Sequence, residues 1–487
     1  MVKYSCERCG KEFSQKSHYD SHNRRKTPCE NNADKIKTLV DKAVEEKIKE
    51  LNKKMIVENE EVNVNSDNMA YLQPKEVKYI DLCSGIGGFR VALESIDKID
   101  AKCVLSADIK QDAIDTYNLN FNEDSETTDI YTLNNEDITP FDLLCAGFPC
   151  QPFSSAGQKK GFSDKRGGMI FKIIDICKYH KPRFVVLENV YKLMTLEKGN
   201  CIKKIRQLFE DIGYNVSYKK LNSSNFGCPQ SRERVYIVCT KDATFNFEYI
   251  KCKPKVTLNS IIDYANKEST IEPTFSKKIL QLHKESPIFG CNFWDYRGGK
   301  NNIHSWDIDF NGTLNKDEKE LMHKIMLNRR KKHWAEKKNI VWMDGIPLTY
   351  EDITTFYKHD NLKNMLDNLV SMKYLRLEKP KDLVDGKREY KEELPEGYNI
   401  CKRKLSLPIS KILDPNDISP TLTATDSHTL AVIIDENTIR NLSSTEMKKI
   451  CGFPDTFVVP EHVNYRDLFG NMATPPVIKE IFEVLLK

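Results

Sequence analysis

The chain has 487 residues, 39% of them hydrophobic and 30% charged, with a formal net charge of +4, room for two or three domains and a sizeable core. It has no run of about 18 apolar residues, and its first residues, Met-Val-Lys-Tyr-Ser-Cys, contain no apolar leader core. Neither a membrane span nor a secretory signal is therefore expected, and the protein is placed in the cytoplasm. Fifteen cysteines without a framework spacing point to reduced thiols and a metal site rather than a disulfide scaffold.

Residues 1–30 hold seven Lys/Arg against four Asp/Glu. Tyr4, Cys6, Cys9, Phe13, Tyr19 and His22 are spaced to put two thiols on a hairpin knuckle, two aromatics in a very small core and an imidazole on the following helix. Up to His22 this resembles a ββα zinc finger. No His follows three to five residues later, so Cys29 is the expected fourth ligand. Cys6, Cys9, His22 and Cys29 would then hold a structural Zn2+. The competing reading is an unstructured basic tail. Lys16, Arg24, Arg25 and Lys26 are free to meet DNA phosphates, or else a protein partner. Residues 31–73 read as a charged helical linker. Ile36, Leu39, Val40, Val44, Ile48, Leu51 and Met55 recur at helical spacing, which fits a solvated spacer or a dimer seam over 35–56.

From Val77 the pattern alternates strands and helices, with strands expected at 78–82, 103–107, 142–146, 184–187 and 235–239. That order predicts an α/β class with a mainly parallel sheet and a ligand site at the strand carboxyl ends. The first strand runs into Asp81-Leu82-Cys83-Ser84-Gly85-Ile86-Gly87-Gly88-Phe89, a glycine turn that lets backbone approach a cofactor. Neither a P-loop lysine nor a G-x-G-x-x-G is present. Asp108 ends the next strand, where a carboxylate accepts from ribose hydroxyls, and Asp129-Ile130 is read as a third acidic strand end. The set fits an adenosine-bearing cofactor. A simple helix cap is the alternative for each acid alone.

The strand at 142–146 delivers Gly147-Phe148-Pro149-Cys150-Gln151, a cysteine in a Gly/Pro-shaped loop. Cys145, inside the strand, is expected to be an inert core thiol. Gly-Phe-Pro-Cys-Gln resembles the catalytic motif of DNA cytosine-5 methyltransferases. Further blocks resemble that family in order: Gly161–Gly167 with Phe171, Leu187-Glu188-Asn189-Val190, Gln230-Ser231-Arg232-Glu233-Arg234, the stretch 440–455, and Gly470-Asn471-Met472-Ala473-Thr474-Pro475-Pro476-Val477.

The resemblance implies a Rossmann-like class I S-adenosylmethionine-dependent methyltransferase domain, formed by 74–240 and 419–487. Between them, 241–418 would be a smaller target-recognition domain. Cys150 would be the nucleophile on carbon 6 of a flipped-out cytosine. Glu188 would hold the ring-nitrogen edge, Arg234 the carbonyl oxygen, and Arg232 the catalytic loop or the DNA. S-adenosyl-L-methionine would be met by Asp81, Cys83, Gly85, Gly87, Gly88, Asp108, Ile109, Asp129, Ile130, Pro149 and Asn471. The family usually has Phe at Cys83 and a large residue, often Trp, at Ile109, so cofactor affinity is expected to differ.

Within 241–418, residues 348–353 and 361–377 read as two helices and a strand with Leu362, Met365, Leu366, Leu369, Val370 and Leu375 as core, a winged-helix-like insert. The Arg329-Arg330-Lys331-Lys332 cluster, Trp294, Tyr296 and Arg297-Gly298-Gly299-Lys300 are candidate DNA contacts. Double-stranded DNA is the expected partner, with a cognate restriction endonuclease as an optional companion. The rival readings are a tRNA cytosine-5 methyltransferase and a zinc-finger DNA-binding regulator with a silent methyltransferase portion.

Overall fold

The computed structural model describes residues 4–6, 12–13, 16–24, 75–149, 168–295, 298–384, 386–401 and 407–487. The chain forms two compact units, residues 1–73 and residues 74–487. In the first, strands Tyr4–Ser5 and Glu12–Phe13 pair antiparallel and helix Lys16–Asn23 follows, giving the ββα order expected. The helical linker and dimer seam expected over 31–73 lie outside the described residues, as do Cys9 and Cys29.

The second unit is built on a six-stranded sheet. Its strands are β1 (Lys75–Leu82), β2 (Ile99–Ala107), β3 (Leu143–Gly147), β4 (Phe184–Val190), β5 (Asn215–Asn222) and β6 (Glu233–Thr240). Their order is β2-β1-β3-β4-β6-β5. The first four are parallel, and β6 runs antiparallel to both β4 and β5. The sheet is thus mixed: the link from β5 to β6 is too short for the helical crossover a parallel pair needs.

Alternation along the strands splits the core into two layers. Ile80, Leu82, Leu144, Ala146, Val185 and Leu187 face helices α1 (Met169–His180) and α2 (Asn200–Glu210). Tyr79, Leu143, Cys145, Val186 and Val238 face helix Gly88–Glu94 and the last helix, Pro475–Leu485, whose Phe482 ring lies 6.4 Å from that of Phe89. Both faces are covered, which is why β3 reads as an uninterrupted apolar run.

A second, five-stranded sheet has the order Asn302–Ile303, Asn292–Phe293, Lys411–Ile412, Leu430–Ile433, Ile439–Asn441. It takes strands from both sides of the boundary expected at 418/419. Residues 306–400 have a core of their own, from Trp306 to Ile400. Helices Lys316–Asn328, Tyr350–Thr354 and Leu362–Ser371 are followed by strands Leu375–Glu378 and Gly397–Ile400, with a hairpin of Lys381–Val384 and Lys387–Tyr390 between them. Leu348 bridges to Tyr398 and adds a third extended segment. Leu362, Met365, Leu366, Leu369 and Leu375 are buried, with Val370 packed at the edge.

Within the basic cluster Arg329 and Arg330 are drawn to partners, while Lys331 and Lys332 stay on the exposed surface. Arg329 is fully buried and donates to Asn399 Oδ1 at 2.8 Å, Arg330 Nη2 lies 2.6 Å from Asp344, and Lys332 pairs with Glu336. Arg329 is buried because it follows Ile325 by four residues and Met326 by three, on the same apolar face of the helix before it. Among the described residues, no helix is long and apolar enough to cross a membrane.

Candidate active site

The parallel registers bring the ends of β1, β2, β3 and β4 level. Leu82 stands opposite Ala107 and Ala146, Ala146 opposite Leu187, and Gly147 opposite Glu188. The segments leaving these ends meet along one edge, the place where open α/β sheets hold ligands.

On the β1–β2 side the Asp108 carboxylate accepts from Gly85 N–H through Oδ2 and from Lys110 N–H through Oδ1, each at 2.9 Å. Both contacts fix its orientation while leaving lone pairs for hydroxyl donors. Gly85, at φ +54, has open space where a Cβ would stand, so it is the glycine over which a cofactor fits. The other two glycines answer to packing. A Cβ on Gly87 would lie 2.3 Å from the Phe121 ring, and one on Gly88 would lie 2.2 Å from the Ala473 carbonyl. Ile109 is 69% exposed at the rim, an apolar surface suited to a ring face. Cys83 adopts φ 52 and its sulfur lies 3.2 Å from Met169 Sδ. The open cradle at Gly85, the oriented Asp108 carboxylate and the exposed Ile109 together fit an adenosine-bearing group.

Three expected cofactor residues stand differently from their sequence reading. Asp81 is fully buried within β1, and burial raises its carboxyl well above the usual range, with Arg90 opposing. Neither of its carboxylate oxygens has a hydrogen-bond partner among the described residues. Asp129 does not end a strand: its Oδ1 accepts from Tyr131 N–H and caps the short helix Ile130–Thr132. The Ile130 side chain is in the core, so only its backbone faces outward contacts. Pro149 is half-buried at the end of the segment leaving β3.

Asn471 comes from the far end of the chain. Its Nδ2 donates to the carbonyl and to Oδ1 of Asp467, both at 2.9 Å, and Asp467 Oδ2 takes Lys110 Nζ at 2.7 Å. Lys110 follows Asp108 by two residues, so this chain of contacts ties Asn471 to the same rim. Sequence reading missed Lys110 and Asp467, since neither stands in a motif.

The β3–β4 side carries the polar chemistry. Cys150 lies outside the described residues. Its approach is fixed by Asn189, whose Nδ2 donates to the Phe148 carbonyl at 2.9 Å. A Cβ on Gly147 would stand 3.9 Å from Glu188 Oε2 and 3.7 Å from the Cys83 carbonyl, so Glu188 borders both the loop start and the cofactor turn. Glu188 is buried, and Arg234 Nε stands 2.9 Å from its Oε1 in a close ion pair. Burial raises the Glu188 carboxyl above the usual carboxylate range, against the opposing pull of Arg234 and Arg232. The result is an acid that keeps its proton longer than an exposed glutamate.

Arg232 has a different setting from the one expected of a catalytic group. It is 2% exposed and donates to the carbonyls of Leu422 and Gly470 at 3.2 Å and of Met472 at 2.6 Å. Burial, and then Arg234, lower its pKa to about 10. Arg232 stands just before β6, where it meets the returning chain, whereas Arg234 lies within β6, opposite Val190 on β4, and reaches Glu188.

In the first unit Cys6 and His22 are both buried. Among the described residues no group of three or more metal-ligating side chains forms.

Residues 77–487 match the family model described as C-5 cytosine-specific DNA methylase. The chain is 40% identical over 424 residues to the Type II methyltransferase M.NlaIV of Neisseria lactamica, covering 85% of this chain and 99% of that protein. It is 36% identical over 450 residues to the Type II methyltransferase M.BanI of Aneurinibacillus aneurinilyticus, covering 85% and 96%. Among solved structures, the Entamoeba histolytica methyltransferase EhMeth aligns with a TM-score of 0.48 at 17% identity, covering 85% of this chain and 98% of that one.

Proposed function

The chain belongs to the C-5 cytosine-specific DNA methylase family, S-adenosylmethionine-dependent DNA cytosine-5 methyltransferases, and from that premise we propose how its own residues carry the reaction. The observation that carries the reading is the buried Glu188, its carboxyl pushed up by burial, paired with Arg234 beside the segment that leads to Cys150.

Carbon 5 of cytosine is too weak a nucleophile to take a methyl group unaided. The Cys150 thiolate adds to carbon 6, forming a sulfur–carbon bond, and the displaced π electrons move toward carbon 5 and the ring nitrogen. Glu188 gives its proton to that nitrogen, so no net anion builds on the ring. Arg234 donates to the ring carbonyl and stabilises the same developing charge. S-adenosylmethionine supplies an electrophilic methyl group for carbon 5. A base then removes the carbon 5 proton, the sulfur–carbon 6 bond breaks, the thiolate leaves and Glu188 recovers its proton. Because the target atoms are inaccessible in a stacked duplex, the cytosine must be extruded. Asp108 is suited to the ribose, Asp129 to the adenine edge and Asn471 to the rim. Arg232 is a positioning residue.

Residues 241–418 are proposed to read the DNA target, and the Type II naming of the relatives supports a restriction–modification role. The N-terminal ββα order, with Cys6 and His22 buried, supports a Zn2+ held by Cys6, Cys9, His22 and Cys29; dimerisation through 35–56 is also proposed. Zinc stoichiometry in the purified chain should fall with His22→Ala and with Cys29→Ala, and full zinc in both refutes the ligand set.

The test of the reaction is transfer of labelled methyl from S-adenosylmethionine to duplex DNA and to tRNA, for the wild-type chain and Cys150→Ser. DNA labelled by the wild type and unlabelled by Cys150→Ser is expected. Label on tRNA alone, or undiminished transfer by the variant, overturns the proposal.

A further inference from the structure

Cations also stand on the hairpin of Lys381–Val384 and Lys387–Tyr390, where Lys381, Lys387 and Arg388 are interspersed with Asp382 and Glu389. At its base is a cavity of about 300 Å³ lined by Trp342, Asp344, Arg376, Glu378, Lys381 and Arg388. Both acids there already have partners: Glu378 takes Arg376 at 2.7 Å and Asp344 takes Arg330 at 2.6 Å. The Arg388 guanidinium lies 4.3 Å from the Trp342 ring centroid and Lys381 Nζ lies 4.3 Å from that of Tyr390. Among the described residues neither cation has a carboxylate partner.

Stacking holds a guanidinium by its face and leaves the N–H edge turned outward, the geometry that meets oxygen pairs of a phosphate. The hairpin is also anchored rather than loose. Asp382 Oδ1 accepts from the backbone N–H groups of Val341, Trp342 and Leu383 at 2.8, 3.1 and 2.8 Å. A two-stranded ribbon on its own is marginal in water, so this anchoring keeps two cations preset at the cavity mouth. Strand Lys387–Tyr390 is exposed along its whole length, and Leu383 and Val384 are exposed at the tip. Arg388 thus faces solvent, with Lys381 half-buried at the base of the hairpin, on a module that has its own core.

We propose that this cavity mouth is a phosphate-binding site for the backbone of the substrate duplex, away from the target cytosine, with Arg388 and Lys381 as its cations. The proposal rests on the reading of 241–418 as the DNA-facing region. A contact of this kind adds affinity and fixes the placing of the module without selecting a sequence.

Each cation neutralising one phosphate contributes about 0.9 to the slope of log affinity against log salt. The experiment measures duplex affinity across a salt series for the wild type, Arg388→Gln, Lys381→Gln and the pair. The expected result is a slope lowered by about one per substitution, with affinity for cognate and non-cognate duplexes weakened by the same factor. The rate at saturating DNA should remain wild-type, and Arg388→Lys should keep the slope. Slopes equal to wild type in all variants overturn the proposal, as does loss confined to one sequence, which would mean base reading. Titration with a free nucleotide separates the sources of phosphate: micromolar binding that needs Arg388 would make the site a mononucleotide pocket and overturn the duplex assignment. Quenching of Trp342 fluorescence by duplex, absent in Trp342→Phe, tests the contact in the wild type itself and does not depend on the variants folding. A wild type that neither binds nor methylates duplex DNA removes the underlying function, whereas one that does both with unchanged variant slopes removes only this site.

Discussion

Replacing Arg232 by methionine separates a clamp from a catalytic group. The guanidinium donates to three buried carbonyls, those of Leu422, Gly470 and Met472, and a methionine of similar length offers none. A buried acceptor left without a donor costs about 1–3 kcal/mol. Against that stands the removal of a charge already held at a cost, as its lowered pKa of about 10 records. What remains after the charge is removed is neutral carbonyls without donors, so a net loss of about 1–3 kcal/mol is expected here. It should fall on the cofactor side, because the segment freed is the one whose Ala473 carbonyl closes over Gly88. Urea unfolding of wild type and variant gives the stability change; calorimetric titration with S-adenosylmethionine gives the affinity. The expected pattern is a lower unfolding midpoint and a weakened affinity, with kcat retained once the cofactor saturates. A loss under about 1 kcal/mol with normal affinity would refute the clamp. A collapse of kcat with stability and affinity intact would return Arg232 to the reacting base.

Glu188→Gln keeps the shape and a donor but has no transferable proton, so kcat should fall by about 10²- to 10⁴-fold. The wild-type carboxyl has a raised pKa, so its protonated form persists to higher pH and is lost as pH climbs through that value. Wild-type kcat should therefore decline on the alkaline side, a limb that the Gln variant should lack in a pH–rate series; an identical limb in both would assign it elsewhere. Gly88→Ala places a methyl carbon 2.2 Å from the Ala473 carbonyl, overpacking expected to cost about 1–3 kcal/mol. It should also raise the KM for S-adenosylmethionine. Gly85→Ala meets no protein atom and should cost only the left-handed backbone strain of about 1–2 kcal/mol, but its methyl enters the cofactor cradle and should raise the KM for S-adenosylmethionine as well. Equal destabilisation of the two in chemical unfolding would contradict the packing argument.

Much of the catalytic half was legible because its chemistry sits in contiguous runs on adjacent strands. Gly147, Glu188 and Arg234 come together through strand register alone, so their motifs report their geometry. The cofactor half was less legible, since an acid at the end of an apolar run can cap a helix or bind a ligand. Asp108 and Asp129 share that local pattern, and only the neighbouring backbone shows that Asp129 caps Ile130–Thr132 while Asp108 faces Gly85. Glycines carry the same ambiguity: Gly87 and Gly88 make room for Phe121 and Ala473, contacts that no local sequence window contains. The Arg329–Lys332 run misled for a related reason. Charge density along a sequence does not tell which charges have buried partners, and Asn399 and Asp344 lie 70 and 14 residues away from Arg329 and Arg330. The helix and strand over 362–378 were visible in their apolar spacing, but the cations of the following hairpin are interspersed with Asp382 and Glu389 and stood out only through their stacking on Trp342 and Tyr390.

The way the insert leaves and rejoins the sheet explains how one chemistry can accept a large reading module. The chain departs after β6 and returns at Ser419–Pro420, which pairs in parallel with Gln230–Ser231, just before β6 begins. Thr421 Oγ1 then donates to the Ser231 carbonyl at 2.6 Å, and Arg232 takes the Leu422 carbonyl. Everything between 241 and 418 therefore starts and ends beside the same two strands, fixed by contacts that none of the intervening residues supply. The entropy of closing such an excursion rises only with the logarithm of its length, about 0.6 kcal/mol for each doubling. The insert can thus be lengthened, or given a module with a core of its own, at little cost to the catalytic sheet. The second sheet adds a constraint: Leu430–Ile433 and Ile439–Asn441 pair within it, and Arg440 makes a buried forked contact with Glu446 on the helix that leads toward Asn471. Arg440 and Glu446 therefore join the second sheet to the helix that leads toward the segment holding Asn471 and Ala473 at the cofactor turn. The second sheet is thus joined to the cofactor rim through the last 60 or so residues, while Phe245 and Phe247, at the start of the insert, pack against Val186 and Val238 on the strands that carry Glu188 and Arg234.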